Sequence, residues 1–121
     1  MDINKVIGSR LDSVKELLKK KNKEYSYSSD YFANFDDGSD FGDCSREYAL
    51  WMYLVKHLSS LKKIVLDTND GIYADISLVE EKVGDAIAYL VLLEAMMKDR
   101  EEENENERDV NDIVINYFTE R

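Results

Sequence analysis

Three carboxylates, Glu80, Glu81 and Asp85, stand at the front of a segment whose second half, Ala86-Ile87-Ala88-Tyr89-Leu90-Val91-Leu92-Leu93, is almost wholly apolar. Glu81 and Asp85 are four residues apart, so a helix places them on one face. Two carboxylates so placed can hold Mg²⁺, which prefers oxygen ligands and completes its shell with water and substrate phosphates. The same acids in a first helical turn complement the helix dipole. Ser77-Leu78-Val79-Glu80 also fits a capping box, with Ser77 as the cap and Glu80 reaching back to it. The residues alone leave both uses of the acids open.

A second group is basic and aromatic. Lys20, Lys21 and Lys23 precede Tyr25, and more aromatic residues follow. Lysines can meet phosphates while a ring stacks on a base. A solvated lysine face is the competing reading. His57, beside Lys56, is the single histidine, and Cys44 the single cysteine. No spacing fixes a catalytic partner for either. Asp36-Asp37-Gly38-Ser39-Asp40 lacks the alternating acids and closing glutamate of an EF-hand.

The elements that must position these residues read as helices. Ile3, Val6, Ile7, Leu11, Val14, Leu17 and Leu18 recur at helical spacing and predict a helix over 3–24. Ser45 is a good N-cap, with Glu47 in the first turn of a helix over 45–66. The stripe Trp51, Leu54, Val55, Leu58, Leu61 and Val65 should be its buried face, and the turn cluster Asp67–Gly71 should end it. A third helix over 77–98 has apolar residues around most of its circumference, so it should be the most buried. Residues 25–44 lose periodicity but hold six aromatics, so they should fold back on the helices as an aromatic-rich loop, with a short helical turn around 30–35. An acidic run over 99–109 either prolongs the third helix or forms a linker. Val110, Ile113, Val114, Tyr117 and Phe118 then make a stripe on a short last helix. The expected fold is thus all-α: one helical domain over 1–98, followed by an acidic segment and short amphipathic helix over 99–121.

Composition narrows the partners. The 121-residue chain has no proline, five glycines and a net charge of −10. Such an acidic chain is a poor direct binder of nucleic acid, because phosphates are repelled. It could instead mimic nucleic acid toward a basic protein partner. Charge is uneven: residues 1–24 carry a net +3 and residues 99–121 a net −6. No run of about 18 apolar residues suggests a membrane span. The opening residues lack the apolar run of a signal peptide, and the lone cysteine fits a reducing cytoplasm. The final stripe needs a cover, and small helical proteins often complete a bundle by forming homo-oligomers.

Several short motifs combine: Lys23-Glu24-Tyr25, Phe32-Ala33-Asn34-Phe35, Ser45-Arg46-Glu47-Tyr48-Ala49-Leu50-Trp51, Lys56-His57-Leu58, and Glu81-Lys82-x-x-Asp85-Ala-Ile-x-Tyr89-Leu-x-Leu-Leu. Together, over about residues 10–98, they resemble small phage and prophage proteins. These in turn are similar to the nucleotide-modification-associated and MazG-like all-α pyrophosphohydrolases. The resemblance implies a helical nucleotide-associated fold, often oligomeric. By position it implies that Lys23 and Tyr25 close the family's first helix and that Asn34 and Phe35 lie in its aromatic loop. Lys56 would lie in the second helix, and Asp85 and Tyr89 in the last core helix. With Lys21, these form the expected ligand-binding set, and Glu81 and Asp85 the expected metal pair. MazG-like enzymes hold Mg²⁺ through two helical acid pairs of the form Glu-x-x-Glu or Glu-x-x-Asp. Here Lys82 stands three before Asp85, and Glu47 is isolated. The expectation is a non-catalytic binder of a nucleotide or nucleotide-derived signal, such as a counter-defence sponge. A divergent Mg-dependent triphosphate pyrophosphohydrolase and an acidic DNA-mimic inhibitor of a defence protein are the alternatives.

Overall fold

The computed structural model describes the backbone of residues 1–25 and 32–119, and the side chains of 1–20, 32, 35–40 and 42–107. Among these residues there are four helices and no strand: α1 (Ile3–Tyr25), α2 (Ala33–Gly42), α3 (Arg46–Asn69) and α4 (Ile76–Thr119). The fold is all-α, as the periodicity requires. None of the described helices is long and apolar enough to cross a membrane.

The ends of α3 follow local chemistry. The Ser45 hydroxyl accepts the Tyr48 amide N–H at 3.1 Å and caps the first turn. At the other end Gly71 takes a left-handed φ of 77°. The Gly71 amide donates to the Thr68 carbonyl, and the Ile72 amide to the Asp67 carbonyl. This paired closure satisfies the last carbonyls and needs a residue free of Cβ strain. The helix outlasts its expected end by three residues.

Two segments depart from expectation. The predicted aromatic loop contains α2, longer than a single turn and beginning at Ala33. The sequence ANFDDGSDFG has poor intrinsic helix propensity. Packing overrides it: Phe35 is 4 % exposed and joins Leu50 and Met96 in the core, with Phe32, Tyr89, Leu92 and Leu93 against them. The chain leaves α2 through Asp43 at a φ of 48°, a left-handed position that aspartate tolerates better than most residues. The second departure is α4. Of the two readings of the acidic run, prolongation of the third helix is the one found, and in place of a separate short last helix one 44-residue helix runs to Thr119, about 66 Å long. No glycine or proline follows Gly84 to stop it.

The capping box is also displaced. Ser77 lies inside α4, while the Asp75 carbonyl accepts the amides of Leu78 at 3.0 Å and Val79 at 3.2 Å. The helix therefore opens just after Asp75 rather than at Ser77.

α3 and α4 form an antiparallel hairpin. Tyr53 and His57 meet Tyr89 at one level. At the start of α3, Arg46 donates to Asp99 at 2.5 Å, and Arg100 donates to both carboxylate oxygens of Glu47, at 3.0 and 2.6 Å. Arg46 also lies 4.7 Å over the Phe32 ring, fastening α2 to the same corner. Burial is not distributed as the stripes suggest. Leu54 and Leu50 are enclosed, but Trp51, Val55, Leu58 and Val65 are exposed. α4 is enclosed at Ala86, Ala88 and Met96 but exposed at Leu90, Val91 and Met97. The third helix is thus half covered rather than buried all round.

Candidate functional site

The first turns of α4 run beside α1 and leave a cleft of about 600 Å³ between them. Lys5 and Arg10 line it from α1, and Glu80, Glu81 and Asp85 from α4. Ser9, Ser13 and Ser77 add hydroxyls. Glu81 and Asp85, four residues apart, both line this space. A group of three His, Cys, Asp or Glu side chains able to hold a metal is not found among the described residues. An ion held by Glu81 and Asp85 would draw its other ligands from water and substrate phosphate.

Gly84 shapes this cleft. A Cβ at Gly84 would lie 2.6 Å from Arg10 Nη1. The guanidinium therefore rests directly on the α4 backbone, in space that any other residue would take. Neither Lys5 nor Arg10 has an ion-pair or hydrogen-bond partner among the described residues. Both cations have donors to offer to a ligand.

Asp85 is the hinge between this cleft and the core. It is 9 % exposed, and its Oδ2 lies 3.8 Å from His57 Nδ1 on α3. The His57 ring is 4.9 Å from that of Tyr89. Tyr89 stacks parallel to Tyr53 at 6.4 Å, and Phe35 meets both tyrosines edge-on, at 5.9 and 6.0 Å. Edge-to-face aromatic pairs of this kind contribute about 0.5–1.5 kcal/mol each beyond the area they bury. The wall behind the cleft is thus a polar pair, Asp85 and His57, held by three rings from three helices.

Of the expected ligand-binding residues, the structure unites Phe35, Asp85 and Tyr89 in this wall. Among the described residues of that set, only Asp85 lines the cleft. Lys56 is exposed on α3 and is not among the cleft residues. Lys21, Lys23 and Tyr25 lie in the last turns of α1 and Asn34 in the first turn of α2, but their side chains lie outside the described residues. The sequence reading left His57 without a partner and missed Tyr53, Lys5 and Arg10. Tyr53–His57 and Asp85–Tyr89 are each spaced by four residues, so two facing helices could bring the pairs together. That was the available signal. Lys5 and Arg10 gave none, since they read as ordinary polar residues of an amphipathic helix.

Glu47 is the strongest perturbed acid described. The hydrogen bonds from Arg100 hold its carboxyl below the ordinary glutamate value, against the opposing effect of burial. This group sits at the far corner of the hairpin and is structural in placement.

No family model, curated protein or solved structure matches the chain.

Proposed function

We propose that the chain binds a small phosphorylated ligand of nucleotide type in the α1–α4 cleft. The observation that carries this reading is the opposition of two cations without a partner among the described residues, Lys5 and Arg10, to three carboxylates, Glu80, Glu81 and Asp85, across one space. A nucleotide has the matching polarity. Its phosphates suit the α1 cations, and its sugar hydroxyls can donate to carboxylates, as ribose does in other nucleotide sites. The cleft volume lies within the usual range for small-molecule sites, about 300–1,000 Å³. Lys82 at the place where MazG-like enzymes carry a metal-binding acid favours binding without turnover. Sequestration of a nucleotide-derived signal in a phage setting is the use that the sequence resemblance suggests. Calorimetry with mono-, di-, tri- and cyclic nucleotides tests it, with and without Mg²⁺. Heat that is reduced at least tenfold in affinity by Arg10→Ala supports the reading; no heat at millimolar ligand rejects it.

A second reading is Mg-dependent pyrophosphohydrolysis, favoured by Glu81 and Asp85 entering the same cleft one turn apart. It requires pyrophosphate release that needs Mg²⁺ and is lost in Asp85→Ala. The acidic-mimic reading gains one support. Glu101, Glu102, Glu103, Glu105 and Glu107 are exposed on a continuous helix. It requires capture of a basic, nucleic-acid-binding protein that weakens steeply with salt.

A further inference from the structure

One polar contact joins the cleft to the core. Asp85 lines the cleft, whereas His57, which faces it from α3, is not among the cleft residues. The two side chains are largely enclosed, with Asp85 Oδ2 3.8 Å from His57 Nδ1. At that distance the contact is electrostatic rather than a formed hydrogen bond. The imidazole cannot be treated as a loose surface ring. It lies 4.9 Å from the Tyr89 ring, and Tyr89 is stacked on Tyr53 and met edge-on by Phe35. Residues of α2, α3 and α4 thus place His57 by packing. A side chain held in this way can orient the polar group it faces, as outer partners do for the ligands of metal and catalytic sites.

We propose that His57 is the positioning residue for Asp85: its Nδ1 carries a proton toward the carboxylate, steadies one oxygen, and leaves the other to accept a hydroxyl or amino hydrogen of a nucleotide in the cleft. This rests on the cleft-binding reading above. An ionised carboxylate accepts on both oxygens and donates from neither, so one aspartate can serve the protein and a ligand together. Enclosing such a group is costly unless donors reach it, and His57 brings one from the facing helix. The carboxylate in turn selects the tautomer, because a ring nitrogen beside an acceptor is the one that keeps its proton. His57 therefore acts on a ligand only through Asp85.

Long-range ¹⁵N spectra of the full chain without ligand test the pairing. His57 is the single histidine, so its two ring nitrogens are assigned without ambiguity. At about pH 8.5, above the ordinary histidine range, a proton on Nδ1 is expected in the wild type, shifting toward Nε2 in Asp85→Ala. A wild-type ring protonated on Nε2 alone, or the same tautomer in both chains, overturns the proposal. Calorimetry with AMP, ADP, ATP, cyclic AMP and their guanine counterparts then reads the effect on binding. His57→Phe keeps a ring but has no donor, and should weaken binding about tenfold, the low end for loss of an orienting partner in metal sites. His57→Asn returns an N–H close to the Nδ1 position and should recover most of that loss. In Asp85→Ala, adding His57→Phe should cost nothing further, because the two residues act as one unit. Equal affinity in His57→Phe and wild type, no recovery in His57→Asn, or a full second loss in the double variant would each reject the role. If His57→Phe does not fold, His57→Asn and the wild-type spectrum still decide. A wild type that binds none of these nucleotides fails the cleft reading; one that binds them with an indifferent His57 fails the positioning role alone.

Discussion

The two regions where α4 meets its neighbours treat charge in opposite ways. At the Glu47 corner every charge has an assigned partner: Arg46 with Asp99, and Arg100 bidentate on Glu47. The corner is sealed over Phe35, Leu50 and Met96. At the α1–α4 cleft the acids and cations face each other across space, and Lys5 and Arg10 have no described partner. One helix therefore carries a finished contact and an unfinished one. Charges consumed in ion pairs hold the fold. Lys5 and Arg10, cations at a cavity with no partner among the described residues, keep donors that a ligand could meet, whereas Asp85 already faces His57.

This contrast can be broken in either direction. The largest effect should come from Leu50→Ala, where the side chain is fully enclosed. It should cost about 2–5 kcal/mol in chemical denaturation while leaving the nucleotide affinity of the folded protein unchanged. Glu47→Gln should cost less, about 1–3 kcal/mol, because Arg100 is half exposed and solvent screens the pair. The same substitution tests the pH dependence. The carboxyl of Glu47 is lowered from 4.5 in the folded chain, so its stabilisation is complete above that value. It is lost as pH falls through the lower folded value. Denaturation midpoints measured from pH 6 downward should decline less steeply in Glu47→Gln than in the wild type. A parallel decline in both would remove Glu47 from the account.

The cleft should respond in the opposite sense. Arg10→Ala should change stability by less than about 0.5 kcal/mol yet weaken nucleotide binding about tenfold, equivalent to about 1.4 kcal/mol. A stability change of the opposite sign is expected for Gly84→Ala. Removing a glycine from a helix interior gains about 0.5–1 kcal/mol, and the new methyl displaces only the flexible end of Arg10. A more stable variant with weaker ligand affinity would show that Gly84 serves the cleft rather than the helix. Equal affinity in Gly84→Ala and wild type would separate Arg10 from ligand.

Much of this division was legible in the sequence, though not all of it. α1 and α3 follow from apolar periodicity, and the caps at Ser45 and Gly71 from residue type. α2 was not legible because its glycines and aspartates argue against a helix, and only the burial of Phe35 by α3 and α4 explains it. The continuity of α4 could have been read from the absence of any breaker after Gly84. The acidic run distracted from it, since glutamates at helical spacing look equally like a solvated linker. In the site, Glu81 and Asp85 were found by spacing on one helix. His57 was judged alone, and its meaning comes from a partner 28 positions away. Long-range pairing of that kind is visible only once the hairpin register is known.

The uninterrupted length of α4 has a mechanical consequence. From Gly84 at the cleft to Thr119 the helix extends about 52 Å. Glu47 and Arg46 grip it near residues 99 and 100, so about 28 Å of helix axis extends past that corner. Glu101, Glu102, Glu103, Glu105 and Glu107 are thus displayed on a rod rather than folded back on the hairpin.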